Sequence, residues 1–124
     1  MTPVFQTRTG LEGNCMAAAL ASLLECELDQ VDFVMSPDAP DSEWWLAMEA
    51  KLRELGYAYL EFPAGRWSPP AGLHYVAGGL SARGLPHAVI YLDGELAHDP
   101  HPDRTGLVRL DTAGFLVPFK PRIR

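Results

Sequence analysis

The sequence predicts an α+β domain in which two helices precede a set of antiparallel strands that they cover on one face. Apolar residues recur at helical spacing, or without interruption, as far as Leu55, and mostly at alternate positions after Gly56. Asp93-Gly94 separates two short apolar runs, which is typical of a β-hairpin. With 124 residues, 48% of them hydrophobic, the chain suits a single domain over 1–124.

Two segments are predicted to be helices. The first runs from Cys15 to Glu25 with Asn14 as its N-cap, and its apolar positions go all the way round, which predicts burial on most sides. The second covers Asp41 to Leu55, capped by Asp41 or Ser42 and closed by Gly56. Its apolar residues recur at spacings of three and four, so we expect one buried and one exposed face.

Strands are predicted wherever short apolar runs are bounded by turn residues, and Gly78 and Gly79 are expected to end the second of them. The predicted strands are Tyr57–Phe62, Leu73–Ala77, Ala88–Leu92, Glu95–Asp99, Leu107–Leu110 and Phe115–Phe119.

Composition excludes several classes of partner. Ten Lys and Arg against sixteen Asp and Glu give a net charge of −6, the wrong sign for binding nucleic acid or an anionic membrane. Cys15 and Cys26 are too far apart along one helix, about 16 Å, to form a disulfide. Two free thiols and the lack of an apolar signal sequence favour a cytoplasmic protein, and no apolar run is long enough to cross a membrane. The oligomeric state stays open.

Cys15 is a candidate nucleophile because of its position. At the first residue of a helix, unpaired backbone N–H groups and the helix dipole favour a thiolate. The alternative is that Cys15 is a small apolar residue of a buried helix, as we expect for Cys26.

The register of the predicted hairpin decides whether His87 and Asp99 meet. A two-residue turn at Asp93-Gly94 places His87 on the face away from Asp99. A three-residue loop pairs Tyr91 with Glu95 and places His87 directly across from Asp99, with Cβ atoms about 5 Å apart. A carboxylate there would fix the imidazole tautomer, as in a catalytic triad. Both registers remain open.

A metal site is a weaker interpretation of the same region. His98, Asp99, His101 and Asp103 could form a cluster of imidazoles and carboxylates. The prolines at 100 and 102 hold this stretch extended and spread its side chains, and no second pair of ligands has suitable spacing. We therefore expect neither a metal nor another cofactor.

These motifs resemble a known family. A cysteine opening a helix, a histidine opening a strand and an acid ending the next strand is the chain order of papain-like cysteine peptidases. His87-Ala-Val-Ile and Asp99-Pro look most like the bacteriocin leader peptidase branch. Gly-Asn-Cys at 13–15, Ser-x-Arg-Gly at 81–84 and His-Asp-Pro-His-Pro at 98–102 are similar to small bacterial and phage proteins described as papain-like. The resemblance covers about 5–107.

The resemblance implies a role for each matched residue. Cys15 would be the nucleophile, His87 the general base and Asp99 the residue that orients His87. Gln6, the only glutamine before Cys15, would donate to the oxyanion. The implied fold is papain-like, with the helix that carries the cysteine packed on the antiparallel sheet.

The expected function is that of a small cysteine hydrolase or acyltransferase acting on a peptide, isopeptide or amide bond. Arg83, Trp44 and His101 are candidate substrate contacts, and the negative net charge favours a neutral or basic peptide or protein substrate. The alternative is a non-catalytic papain-like module that binds a peptide or protein in the same cleft.

Overall fold

The computed structural model describes residues 1–10, 13–36, 38–66 and 68–119. Within these ranges, two helices, a 3-10 turn and five strands form an α+β structure, so the predicted α+β class is confirmed. The helices are α1 (Cys15–Leu24) and α2 (Asp41–Glu54), with the 3-10 turn at Leu28–Gln30 between them. The strands are β1 (Tyr57–Pro63), β2 (His74–Ser81), β3 (Pro86–Leu92), β4 (Glu95–His98) and β5 (Leu107–Pro118).

The five strands form one antiparallel sheet in the order β1-β5-β2-β3-β4. Alternation along the strands gives the sheet two apolar faces. One packs with α1, α2 and the 3-10 turn in the main core, which includes Leu20, Met48, Val76 and Ile90. The other carries a smaller cluster of buried residues: Tyr75, Ala77, Val89 and Ala113.

Both helices form where the sequence predicts them. Glu25 ends α1 in the left-handed conformation. The expected caps of α2 are wrong, since Asp41 and Ser42 lie in its first turn and Pro40 is the N-cap. Proline suits this place because its fixed φ is compatible with the extended conformation that precedes a helix, and its carbonyl accepts the N–H of Glu43.

Gly78 and Gly79 do not end β2, as the sequence suggested, but lie inside it. The register between β2 and β5 shifts by one residue at this point. A Cβ on Gly79 would come within 1.9 Å of the carbonyl oxygen of Arg109 in β5. The glycine therefore permits a close approach of two backbones and not a turn.

The last two predicted strands are one strand, β5, of twelve residues. It pairs with β2 between residues 107 and 114 and with β1 between residues 112 and 118, so the strand continues through the turn-like sequence at 111–114. Gly114 leaves room for the ring of Tyr59, because a Cβ there would lie 1.7 Å from the Tyr59 hydroxyl.

β3 and β4 are joined by a two-residue turn in which Asp93 and Gly94 both have positive φ, 51° and 81°. Leu92 accordingly pairs with Glu95, the first of the two registers considered.

A β-bulge then changes the register of this hairpin. Tyr91 pairs with Leu96, but Ile90 pairs with His98, so Ala97 is an extra residue on β4. A shift of one residue moves all following side chains to the other face. The pairing after the bulge matches neither predicted register, but it leaves His87 and Asp99 on the same face, as the second register required.

Residues 1–9 form no helix or strand and run between α1 and the end of β4. Thr2 N–H donates to the Ser22 carbonyl at 3.0 Å, and Gln6 N–H donates to the Pro100 carbonyl at 3.1 Å. Nε2 of His98 lies 2.7 Å from the Val4 carbonyl oxygen. These bonds hold the N-terminal segment in place, so that Gln6 lies near the N-terminal end of α1. No described helix is both long and apolar enough to span a bilayer.

Candidate active site

Cys15 is the first residue of α1, and its partly exposed thiol lines a pocket together with His87. Asn14 precedes it in a non-helical conformation, with φ −114° and ψ 36°. No described side chain caps the first turn, which leaves N–H groups there for an anionic group.

His87 lies near the start of β3, and its ring is 2.7 Å from Asp99 through Nε2 and Oδ1. Both residues are buried, with 6% and 3% of their surface exposed. Cys15 is a neighbour of this ring: its side chain raises the pKa of His87, and both residues line the same pocket. The structure thus brings together the three residues of the predicted triad.

Asp99 is held by three donors. Its Oδ1 accepts from the His87 ring and, at 2.9 Å, from the backbone N–H of His101, while Oδ2 accepts from the N–H of Gly106 at 2.8 Å. Burial raises the pKa of Asp99, but these hydrogen bonds lower it by more, so the net pKa lies below the usual value. Asp99 is therefore ionised at neutral pH.

The electrostatics favour a protonated His87. Burial lowers the pKa of this imidazole, whereas the hydrogen bond to Asp99, the charge of that carboxylate and the neighbouring Cys15 side chain raise it, and the net result is a pKa of about 9. At neutral pH the ring therefore carries a proton that it can give to a leaving group.

Asn14 is the N-cap of α1, as predicted, but its side chain bonds to other parts of the chain and not to the helix. Its Oδ1 accepts the backbone N–H groups of Thr7 and Arg8 at 3.0 and 2.9 Å, and its Nδ2 donates to Asp32 at 3.1 Å. Arg8 binds Asp32 with two nitrogens, each at 2.9 Å. Asn14 therefore ties the segment that contains Gln6 to the residue before Cys15. The Gly-Asn-Cys motif was the available sequence signal for it.

Gln6 lines the same pocket as Cys15 and is 9% exposed. Its Nε2 donates one hydrogen to the carbonyl of Arg8 at 2.8 Å, which leaves a second N–H. Its Oε1 is buried and has no hydrogen-bond partner among the described residues. Exchanging the two atoms would set two carbonyl oxygens against each other, so the amide nitrogen is fixed on the Arg8 side.

Arg83 and His101 also line this pocket, as the predicted substrate contacts should. Arg83 forms an ion pair with Asp103. The His101 ring lies edge-on to that of His87, with centroids 6.1 Å apart. Its Nδ1 accepts the backbone N–H of Asp103 at 3.0 Å. We call this pocket the polar pocket, because its lining includes the side chains of Gln6, Arg83, His87 and His101.

Trp44 does not reach this pocket but lines a second depression that also contains Cys15 and His87. It packs against the main core, with its ring 5.6 Å from that of Phe33. Trp45 lines the depression as well, and of the two tryptophans only Trp44 was named as a candidate contact.

The residues considered for a metal site are used otherwise. Asp99 and His98 are engaged with His87 and the Val4 carbonyl. Within the ranges that the structure describes, no three His, Cys, Asp or Glu side chains are grouped so that they could hold a metal ion.

Comparison of the chain with protein family models, with curated proteins and with solved structures gave no match.

Proposed function

We propose that this protein is a small papain-like cysteine hydrolase or acyltransferase that acts on a peptide, isopeptide or amide bond. The observation that carries the proposal is that Cys15 and His87 line one pocket and that the His87 ring is bonded to a buried Asp99. A purely structural role for Cys15 would not explain why a buried imidazole, itself bound to an ionised carboxylate, lies beside it.

The reaction starts from a Cys15 thiolate beside protonated His87. The sulfur attacks the carbonyl carbon, and the carbonyl π electrons move to oxygen. The remaining N–H of Gln6 and the backbone N–H of Cys15 stabilise this oxyanion. When it collapses, the carbon–nitrogen bond breaks, His87 gives its proton to the leaving amine, and a thioester remains on Cys15.

The second half of the reaction regenerates the enzyme. Neutral His87 takes a proton from water, the hydroxide adds to the thioester carbon, and Cys15 leaves as a thiolate when the intermediate collapses. An amine can take the place of water, and the product is then a new amide. Asp99 stays ionised and stabilises the imidazolium in both halves.

Acylation by p-nitrophenyl acetate tests this proposal. We expect a burst of nitrophenolate, an acetyl group on Cys15 in the intact-protein mass spectrum, and slower turnover as the thioester hydrolyses. Cys15→Ala should remove the burst, and Cys26→Ala should keep it.

Acetylation of Cys15 and Cys26 at similar rates would contradict the proposal. A stable acetyl group on Cys15, with no turnover by water or an added amine, would favour the non-catalytic binding module.

A further inference from the structure

The depression that contains Trp44 is distinct from the polar pocket, although both include Cys15, Pro86 and His87. We call it the tryptophan groove: its lining includes Trp44, Trp45, Glu61, Gly78, Gly79 and Asp111. Its volume is about 320 Å³, against about 170 Å³ for the polar pocket. The larger free space beside the nucleophile is therefore the groove.

The aromatic side of the groove is rigid. The rings of Trp44 and Trp45 meet at 90° with centroids 4.9 Å apart, and Trp45 stacks on Tyr59 at 5.8 Å and 15°. Trp44 is supported in turn by Phe33. Packing on both indoles fixes their orientation before a ligand arrives, which lowers the entropic cost of binding.

The carboxylates of the groove differ in their partners. Asp111 binds Nε and a terminal nitrogen of Arg109 at 2.8 and 3.1 Å, so its charge is compensated. Glu61 is exposed and forms no ion pair within the part of the chain that the structure describes. It lies two residues after Tyr59 on β1 and hence on the same face of the strand as the ring beneath Trp45.

We infer that the tryptophan groove binds a cationic side chain of the substrate, a lysine or arginine, close to the attacked carbonyl. This inference rests on the proposed function. Indole faces attract an ammonium or guanidinium group, and the uncompensated Glu61 carboxylate adds an ion pair. The aliphatic stem of such a side chain packs against the apolar part of the lining.

The polar pocket attracts the same group less. Its described lining includes no Asp or Glu, and Arg83 there is already paired with the carboxylate of Asp103. His87 lines both sites and does not distinguish them. Glu61 therefore directs a substrate cation to the groove and disfavours an acidic side chain in it. The net charge of −6 acts in the same direction at longer range.

Epoxysuccinyl diamides with one methylamide arm and one variable arm test this inference. The Cys15 thiolate opens the epoxide: a carbon–sulfur bond forms, a carbon–oxygen bond breaks, and the alkoxide takes a proton from His87. Three compounds are compared, whose variable arms have the same alkyl chain and end in an amine, a methyl group or a carboxylate. Because either epoxide carbon can be attacked, the variable arm can reach the groove or the polar pocket. The rate of Cys15 modification is measured by mass spectrometry.

We expect the amine arm to react about three- to tenfold faster than the methyl arm, and the carboxylate arm to react slowest. Glu61→Gln should bring the ratio of amine to methyl rates close to one, and Glu61→Lys should reverse the order of amine and carboxylate. Glu95→Gln, which removes an exposed carboxylate outside the groove, is the matched control and should preserve the ratio.

Equal rates for the three arms in the unaltered protein would overturn the inference, as would a ratio that Glu61→Gln leaves unchanged. Neither result touches the proposed function, provided that p-nitrophenyl acetate still acylates Cys15. If p-nitrophenyl acetate does not acylate Cys15 in the unaltered protein, the proposed function is overturned, whatever the relative rates of the three epoxide compounds.

Discussion

The two ends of α1 carry the two cysteines of the chain, and they differ in their surroundings. Cys15 begins the helix and Cys26 follows its C-cap, and both thiols are free and partly exposed. Cys15 lies beside a histidine that an ionised carboxylate holds. Burial raises the pKa of Cys26, and the charges of Glu27 and Asp29 raise it further. Both thiols are partly exposed, so we expect any difference in their reactivity to come from the neighbouring charges.

The largest difference should appear in alkylation. With limiting iodoacetamide at pH 7, we expect Cys15 to react at least about 100-fold faster than Cys26, because only Cys15 has a cationic partner. Peptide mass spectrometry gives both rates in one sample. Cys15→Ala should leave only the slow reaction. Comparable rates at the two cysteines, or a faster Cys26, would contradict the comparison.

Asp99→Asn should remove much of the difference in reactivity between Cys15 and Cys26. Three donors converge on the carboxylate, so an amide must turn its own N–H₂ toward one of them. We expect acylation of Cys15 to slow by about 10²-fold or more and the free energy of unfolding to fall by about 3 kcal/mol.

Chemical denaturation and labelling kinetics measure the two effects of Asp99→Asn. Asp103→Asn is the control, because this partly exposed carboxylate lies outside the triad. Unchanged Cys15 kinetics in Asp99→Asn would show that Asp99 does not support the reaction. Cys26 should react as before in both variants.

Two amide side chains allow a matched test of the helix ends. Asn14→Ala breaks buried bonds to Thr7, Arg8 and Asp32, so we expect a loss of about 2 kcal/mol or more in unfolding free energy and slower acylation of Cys15. Gln30→Ala, near Cys26, removes one exposed bond to the Glu27 N–H and should cost less than about 0.5 kcal/mol. Equal losses from thermal or chemical unfolding would contradict the proposed role of Asn14.

The smallest expected effect concerns the His87 proton. Its pKa of about 9 lies above the ordinary 6.5, so its stabilising contribution is complete below pH 6.5 and is lost as the pH rises through about 9. Cys15→Ala removes two of the interactions that raise this pKa and should lower it, whereas Cys26→Ala should not change it. Titration of the ring by NMR checks both, and an unchanged pKa in Cys15→Ala would argue against the pair.

The local patterns predicted the helices well. An uninterrupted apolar run after Asn14 gave α1, and the spacing of three and four gave α2, because these patterns depend on neighbours within one or two turns. The strand ends were predicted less well. Gly79 resembled a terminator but lies within β2, since its function is the contact with the Arg109 carbonyl of another strand.

The candidate site, too, was predicted only in part from the sequence. The sequence singled out Cys15, His87 and Asp99 by residue type and order, but offered two uniform registers for the hairpin that joins the last two. The structure has the two-residue turn and still brings the pair together, through the bulge at Ala97. An alanine carries no local signal for a bulge. Glu61 and Trp45 were likewise missed, because the groove that they line exists only when β1 and α2 pack together.

The sequence by itself determined the α+β class, the helix that begins at Cys15, and the residue types available for an acyl transfer. The tertiary structure decided their geometry. Bonds from the N-terminal segment to Ser22, Pro100 and His98 place Gln6 in the same pocket as Cys15. Backbone donors from residues 101 and 106 hold Asp99 against His87. These contacts join residues distant in sequence or depend on a turn after the strand, and hydrogen bonds of this kind leave no periodic pattern in the chain.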